Sequence, residues 1–218
     1  MGKAIRISDL DLSSGNIGQV TPASFKSFNK LQYISSTGTQ YIDTEVLVKS
    51  GLHIILKMSF TEATSVVGGR DDFAVNSFAF MISSNSLRRP YLLYGNQYFQ
   101  LNNDQVTGGS YTFDFNDNVW IFKNLSGSSV LLTHTFTQET FEGNSNIYLF
   151  ALSLHGSANG FFKGKIYECQ IYDGDTLIRD YVAAERKYDL TAGLFDKVNN
   201  VFYVNKGTGD FEKGPYAE

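Results

Sequence analysis

From Leu31 onward the chain alternates apolar and polar residues with a period of two. In "LHIILKMSF", Leu52, Ile54, Leu56, Met58 and Phe60 share one face, and His53, Ile55, Lys57 and Ser59 share the other. That is the pattern of a strand with one side in a core. "YTFDF" sets Tyr111, Phe113 and Phe115 on one side, while "NVWIF" and "NIYLFALSL" are nearly continuous apolar runs, as strands inside a sandwich require. "KIYECQIYDGDTLIRDY" reads as a hairpin: Tyr167, Cys169 and Ile171 alternate with Glu168 and Gln170, and Asp173-Gly174-Asp175 supplies the turn. "GLFDKVNNVFYVN" repeats the design and bends at Asn199-Asn200. Only "YVAAERKYD", Tyr181 to Asp189, predicts a helix, of one or two turns. Roughly a dozen short strands with turn signals between them predict a two-sheet β-sandwich over residues 31–218.

Residues 1–30 break the pattern. Ile5/Ile7 and Leu10/Leu12 form two apolar pairs spaced by two, Asp9 and Asp11 alternate with the second pair, and "SSGNIGQVTPAS" follows. The segment is too short and too poor in hydrophobics to fold alone. It suits an extended arm, either packed on the domain or anchoring it to another subunit through Ile5, Ile7, Leu10 and Leu12.

Composition narrows the classes. Hydrophobic residues at 42% and aromatics at 15% suffice for a substantial core, and charged residues at 18% fall below the usual share of about a quarter, leaving Ser, Thr, Asn and Gly to carry solubility. A net charge of −4 argues against a basic face for nucleic acid. The single cysteine, Cys169, excludes an intrachain disulfide, and its inward parity makes it a core thiol. "MGKAIRISDLDLSSGNIG" lacks an apolar run of signal-peptide length, and no run is long enough to span a membrane. Synthesis in a cytoplasm without membrane insertion is the expectation.

"YISSTGTQYIDT", "GGR" at Gly68–Arg70, "NIYLFAL", "GKIYECQIYDGDTLIRDYVAA" and "GLFDKVNNVFYVNKGTGDF" occur in that order. Together they resemble the concanavalin A-like (laminin-G-like) jelly-roll domains of tailed phages and prophages of gut bacteria, and of some bacterial surface proteins. The resemblance spans about residues 31–211. It implies that the first strand pairs near the last, so that "STGTQYIDT" and "NKGTGDF" close the sandwich together. It also implies a virion component, held by its arm to other virion proteins as a homo-oligomer, with a lectin-like face toward host-surface or mucosal glycans. A free bacterial glycan-binding module is the alternative, and a glycoside hydrolase a weaker one.

Chemistry is sparse. Glycanases of this fold carry a Glu-x-Asp-x-x-Glu strand, which is missing here, and Glu139 and Glu142 lie three apart in a turn-rich stretch. His53, His134 and His155 fall in separate segments without metal spacing. Asp173 and Asp175 read as turn residues, whereas Asp71 and Asp72 sit in a loop that would suit calcium better; no cofactor is expected. The strongest candidate surface is "SSNSLRRPYLLYGNQYFQLNND", in which Tyr91, Tyr94 and Tyr98 would stack on sugar rings, with Arg88, Arg89 and Asn96 donating to hydroxyls or carboxylates. The competing reading makes these ordinary strands with core tyrosines. "SLHGSANGFF", Ser153 to Phe162, is a second polar loop of the kind jelly rolls use for ligands.

Overall fold

The computed structural model describes residues 25–60, 65–73, 75–83, 89–101, 106, 109–126 and 129–218. A 3-10 turn (Phe25–Ser27) leads into β1 (Phe28–Lys30), β2 (Ile34–Thr37), β3 (Ile42–Lys49), β4 (Leu52–Phe60), β5 (Ser65–Arg70), β6 (Ser77–Ile82), β7 (Pro90–Gly95), β8 (Gln97–Gln100) and β9 (Gly109–Asn116). Then come β10 (Val119–Asn124), β11 (Val130–Thr135), β12 (Glu142–Leu149), β13 (Leu152–Leu154), β14 (Ser157–Asn159), β15 (Lys163–Asp173), β16 (Thr176–Arg186), β17 (Ala192–Asp196), β18 (Val201–Val204) and β19 (Glu212–Lys213). They form two sheets. The larger runs β11-β10-β9-β4-β15-β16-β17-β18, with β2 on β15, β19 on β2 and β1 on β16. The smaller runs β14-β13-β5-β6-β7-β8, with β12 joining β3 to β5. Apart from the parallel pair of β5 and β13, the pairings are antiparallel.

The period-two pattern becomes the core. Leu52, Ile54, Leu56, Met58 and Phe60 are at most 2% exposed. Across from them, the smaller sheet turns Phe78, Phe80, Ile82, Leu92 and Tyr94 inward. Rings of the two sheets meet directly: Phe80 to Phe113 at 4.6 Å, Phe78 to Phe115 at 5.1 Å, and Tyr94 to Phe115 at 5.0 Å between centroids. Each such contact adds about 0.5–1.5 kcal/mol to the burial of the rings themselves. Cys169 is fully buried in this core, and burial pushes its thiol well above the usual range, so it is no nucleophile at neutral pH.

Two segments far apart in sequence close the sandwich together. β19 pairs with β2, Thr208 N–H donates to Thr39 O (3.1 Å), and Lys206 N–H to Tyr41 O (2.9 Å). Inside the turn the Gln40 side-chain oxygen accepts from Ser36 Oγ and Thr37 N, at 2.9 Å each, and Gly38 supplies a φ of +104°. The polar Thr-Gly segment is therefore turn and edge chemistry.

Two expectations need correction. Tyr181–Asp189 is not helical: β16 continues to Arg186 with β17 along one side. Tyr181 and Ala183 point into the main core, whereas Val182 and Ala184 enter a second cluster under Phe28 and Phe195. Burial on alternate faces outweighs the helix preference of two alanines. The sheet also starts earlier than Leu31, because Phe28–Lys30 pairs with the end of β16 and Phe28 is only 4% exposed. Ile5, Ile7, Leu10 and Leu12 lie outside the described residues.

One buried carboxylate ties β1 and β19 to the sheet. Glu185, 1% exposed, accepts from Lys213 Nζ (2.7 Å), Asn29 Nδ2 (3.0 Å) and Tyr216 Oη (3.0 Å). The hydrogen bond from Lys213, then that from Asn29, holds its carboxyl below the ordinary range. A lowered folded pKa contributes stability above the unfolded value, near 4.3, that is lost as pH falls through the folded value. Glu185→Gln should therefore lower the urea midpoint at pH 7, and the gap from the native protein should shrink progressively below about pH 4. A gap constant from pH 7 to 3 would contradict this.

Candidate functional site

Strand parity sorts the tyrosines of β7 and β8. Leu92 and Tyr94 face the core, so Tyr91 and Leu93 face outward. Across the hairpin Leu93 opposes Tyr98, while Tyr91 opposes Gln100. Tyr94 is 1% exposed and enclosed by Phe115, Phe136 and Phe141. It is a core residue, and the expectation that it contacts ligand is overturned. Asn96 is also committed elsewhere: its backbone N–H and Nδ2 donate to Glu139 Oε2 at 2.9 and 3.2 Å, and Gln97 Nε2 donates to Glu139 Oε1 at 2.8 Å. This brace holds the β7–β8 turn against the segment after β11, and it occupies both oxygens of one of the two candidate acids. Glu142 begins β12 instead. Arg89 is bound through its backbone to Ser83, and Arg88 lies outside the described residues.

Tyr91 and Tyr98 stay together on the outer face, with ring centroids 5.8 Å apart. Phe73, from the loop after β5, joins them at 6.1 Å from Tyr98. Phe73 is 59% exposed and Tyr98 48%, so two large rings lie side by side in water. Beneath them Ala79, Met81, Leu93 and Leu152 form a closed apolar floor against which Tyr91 packs. The guanidinium of Arg70, the last residue of β5, lies 5.7 Å over the Phe73 ring. Its Nε is enclosed without a hydrogen-bond partner, and Arg70 enters none of the ion pairs among the described residues. Burial, then the nearby Tyr98, raises the pKa of the Tyr91 phenol while Arg70 opposes them, so Tyr91 stays a neutral donor at physiological pH.

The loop carrying Phe73 is held from both ends. Asp71 accepts from Asn144 N (2.9 Å), Asn144 Nδ2 (3.3 Å) and Asn76 Nδ2 (3.3 Å), while Asp72 accepts from Phe73 N (2.7 Å). Ser77 Oγ donates to the carbonyls of Asp72 and Val75, each at 3.1 Å. These two aspartates act as loop braces, and no group of three or more His, Cys, Asp or Glu gathers among the described residues as a cation site would need. The histidines are also apart. His53 meets Asp114 at 3.0 Å and stacks on Tyr172, His134 stacks on Phe99 at 3.6 Å, and His155 occupies the β13–β14 turn.

Two other hollows are already satisfied internally. A cleft of about 360 Å³ between β3 and the β15–β16 hairpin holds Lys49 and Asp173, paired at 2.7 Å, and Arg179, which donates to Thr44 O. A hollow of about 440 Å³ around His53 and Asp117 is lined by the His53–Asp114 pair. The outer face of the smaller sheet presents exposed rings together with a guanidinium that has no carboxylate partner among the described residues.

No protein-family profile matches the chain, and no curated protein matches it. Solved structures do match. A presumed carbohydrate-binding protein from Bacteroides ovatus superposes with a TM-score of 0.57 at 12% identity, over 86% of this chain and 62% of that one. This chain thus spans under two thirds of that protein. A native heptameric SAP-like pentraxin from Limulus polyphemus aligns over 70% of this chain and 78% of its own, at 9% identity and a TM-score of 0.42. The fold is a concanavalin A-like jelly-roll sandwich.

In the sequence "GGR" stands out as a motif, but Arg70 does not stand out as a ligand contact, and neither does Phe73. A signal for them exists all the same: a phenylalanine beside two aspartates, between a glycine-rich strand and the next one, is poorly placed for a core. The alternation along "PYLLYG" likewise separates Tyr91 from Tyr94. Tyr94→Ala should cost about 3–5 kcal/mol in denaturant unfolding, as large aromatic truncations do. Tyr98→Ala should stay within about 0.5 kcal/mol of the native chain. Similar losses for both would mean that Tyr98 also supports the core.

Proposed function

We propose that this chain is a non-enzymatic glycan-binding protein, with saccharides held on the outer face of the smaller sheet by Phe73, Tyr98 and Arg70. The observation that carries this reading is the exposed ring pair beside an unpaired guanidinium on a rigid floor. The C–H faces of a sugar ring are apolar and stack on aromatic faces, while hydroxyls take hydrogen bonds from guanidinium and phenol donors. The likeness to a presumed carbohydrate-binding protein supports the same ligand class. Glycoside hydrolysis needs a free acid and a free base about 5–10 Å apart. Asp71 and Asp72, adjoining the platform in sequence, serve instead as acceptors for their own loop and for Asn144.

In this reading the protein is an outward-facing component of a phage particle, the setting the sequence resemblance implies, and residues 1–24 tie it to other virion proteins or to further copies of itself. A free bacterial glycan-binding module is the second reading, favoured by the source of the Bacteroides likeness. Neither setting changes the platform.

On a glycan array, Phe73→Ala and Tyr98→Ala should each weaken the strongest signals about two- to tenfold, the range for loss of one stacking contact, with unchanged melting temperatures. Undiminished binding by both variants would refute the platform. Removing residues 1–24 should leave the melting temperature nearly unchanged, because Phe28 and the Glu185 clamp are kept, but should abolish assembly into particles or oligomers. Unaltered assembly, read by mass spectrometry of purified particles, would refute the anchoring role.

A further inference from the structure

We infer that the platform selects anionic saccharides, with Arg70 reading a carboxylate or sulfate group on a sugar stacked against Phe73 and Tyr98. The inference rests on the glycan-binding reading above and specifies its ligand class. Several cations elsewhere in the molecule are matched to acids. Arg179 lies 3.8 Å from Asp196, and Arg186 meets Asp189 at 2.6 Å. Lys49, Lys57, Lys197 and Lys213 each pair with a carboxylate at 2.6–2.8 Å. Arg70 has two aspartates next to it in sequence and pairs with neither. Asp71 is turned to Asn144 and Asn76, and Asp72 to the Phe73 N–H. An arginine beside its own acids, yet kept from them by a braced loop, has no carboxylate partner among the described residues.

Its position is fixed from three sides. The Arg70 carbonyl accepts from Ser145 Oγ (2.9 Å), its backbone is in register with Leu154 of β13, and its guanidinium rests over Phe73. Among the described residues the enclosed Nε has no acceptor. A planar guanidinium offers two parallel N–H donors, which match an anionic group in two-point contact better than a single hydroxyl. The rings beside it give the sugar an apolar face to lie on. Net charge is −4 over the whole chain, so diffuse attraction of anions is not expected and any selectivity must be local.

The test is titration calorimetry on the full chain with three probes: an oligogalacturonate, a neutral galactose oligosaccharide of the same length, and a sulfated galactose oligosaccharide. The native protein, Arg70→Ala, Arg70→Lys and Tyr98→Ala are compared, with circular dichroism confirming that each is folded. The native chain should bind one or both acidic probes at least about tenfold more tightly than the neutral one, as a single charge-assisted hydrogen bond supplies. Which acidic probe is tighter tells carboxylate from sulfate. Arg70→Ala should erase that preference, weakening the acidic probes at least about tenfold more than the neutral one, Arg70→Lys should keep part of it, and Tyr98→Ala should weaken all three probes. Equal native binding of acidic and neutral probes, or a preference surviving in Arg70→Ala, overturns the inference and leaves the glycan reading standing if Tyr98→Ala still weakens binding. Absence of binding to every probe, or binding indifferent to both Arg70 and Tyr98, overturns the reading and the inference together.

Discussion

The interlock of aromatic rings between the two sheets governs everything else in the molecule. Phe80 touches Phe113, Trp120 and Phe122, Phe78 touches Phe113 and Phe115, and Tyr94 sits among Phe115, Phe136 and Phe141. Side chains alternate along a strand, so a slip of one residue in β6 or β7 would move these rings to the outer face and bring Ala79, Met81, Tyr91 and Leu93 inside. A core packed this closely does not tolerate such a slip. The outer face of the smaller sheet is thus set by what its inner face must bury.

From that follow the position and stiffness of the candidate site. Tyr91 and Tyr98 are neighbours outside because Leu92, Tyr94 and Phe99 are committed inside or at the rim. Glu139 then fixes the β7–β8 turn, and Asp71 with Asn144 fixes the loop that carries Phe73. The polar residues near the rings are mostly structural acceptors and donors with partners. Arg70 is the exception, and that contrast gives the surface a chemical direction.

Much of the fold is legible in the sequence, because alternation is a local signal: β4 and β9 follow their apolar positions residue by residue, and so do Cys169 and Ile171 of β15. A register shift between Ile166 and Glu168 turns Ile166 inward and leaves Tyr167, expected on the inner face, half-buried. The pairing of the Thr-Gly segment with the C-terminal end is carried by family resemblance, since contacts so far apart in sequence leave no periodic trace. Tyr181–Asp189 reads as helical because alanine favours a helix locally, whereas Ala183 and Ala184 are small to suit burial on two opposite faces. The site is half legible. The sequence points to Tyr91 and Tyr98, but composition groups Tyr94 and Asn96 with them, blind to parity and to the distant Glu139. Phe73 reaches Tyr98 through space, and Arg70 rests over Phe73, a proximity that spacing along the chain does not encode.

One set of rings is thus locked between the sheets while another, on the same strands and the loop beside them, is free to meet a ligand. A nuclear magnetic resonance titration can separate the two sets, using the chain with isotope-labelled phenylalanine and tyrosine rings and an acidic oligosaccharide added stepwise. Progressive shifts of the Phe73 and Tyr98 ring signals are expected, with Tyr94, Phe78 and Phe80 unmoved. Shifts confined to rings elsewhere, such as Tyr172 beside His53, or equal shifts of Tyr94 and Tyr98, would contradict this division.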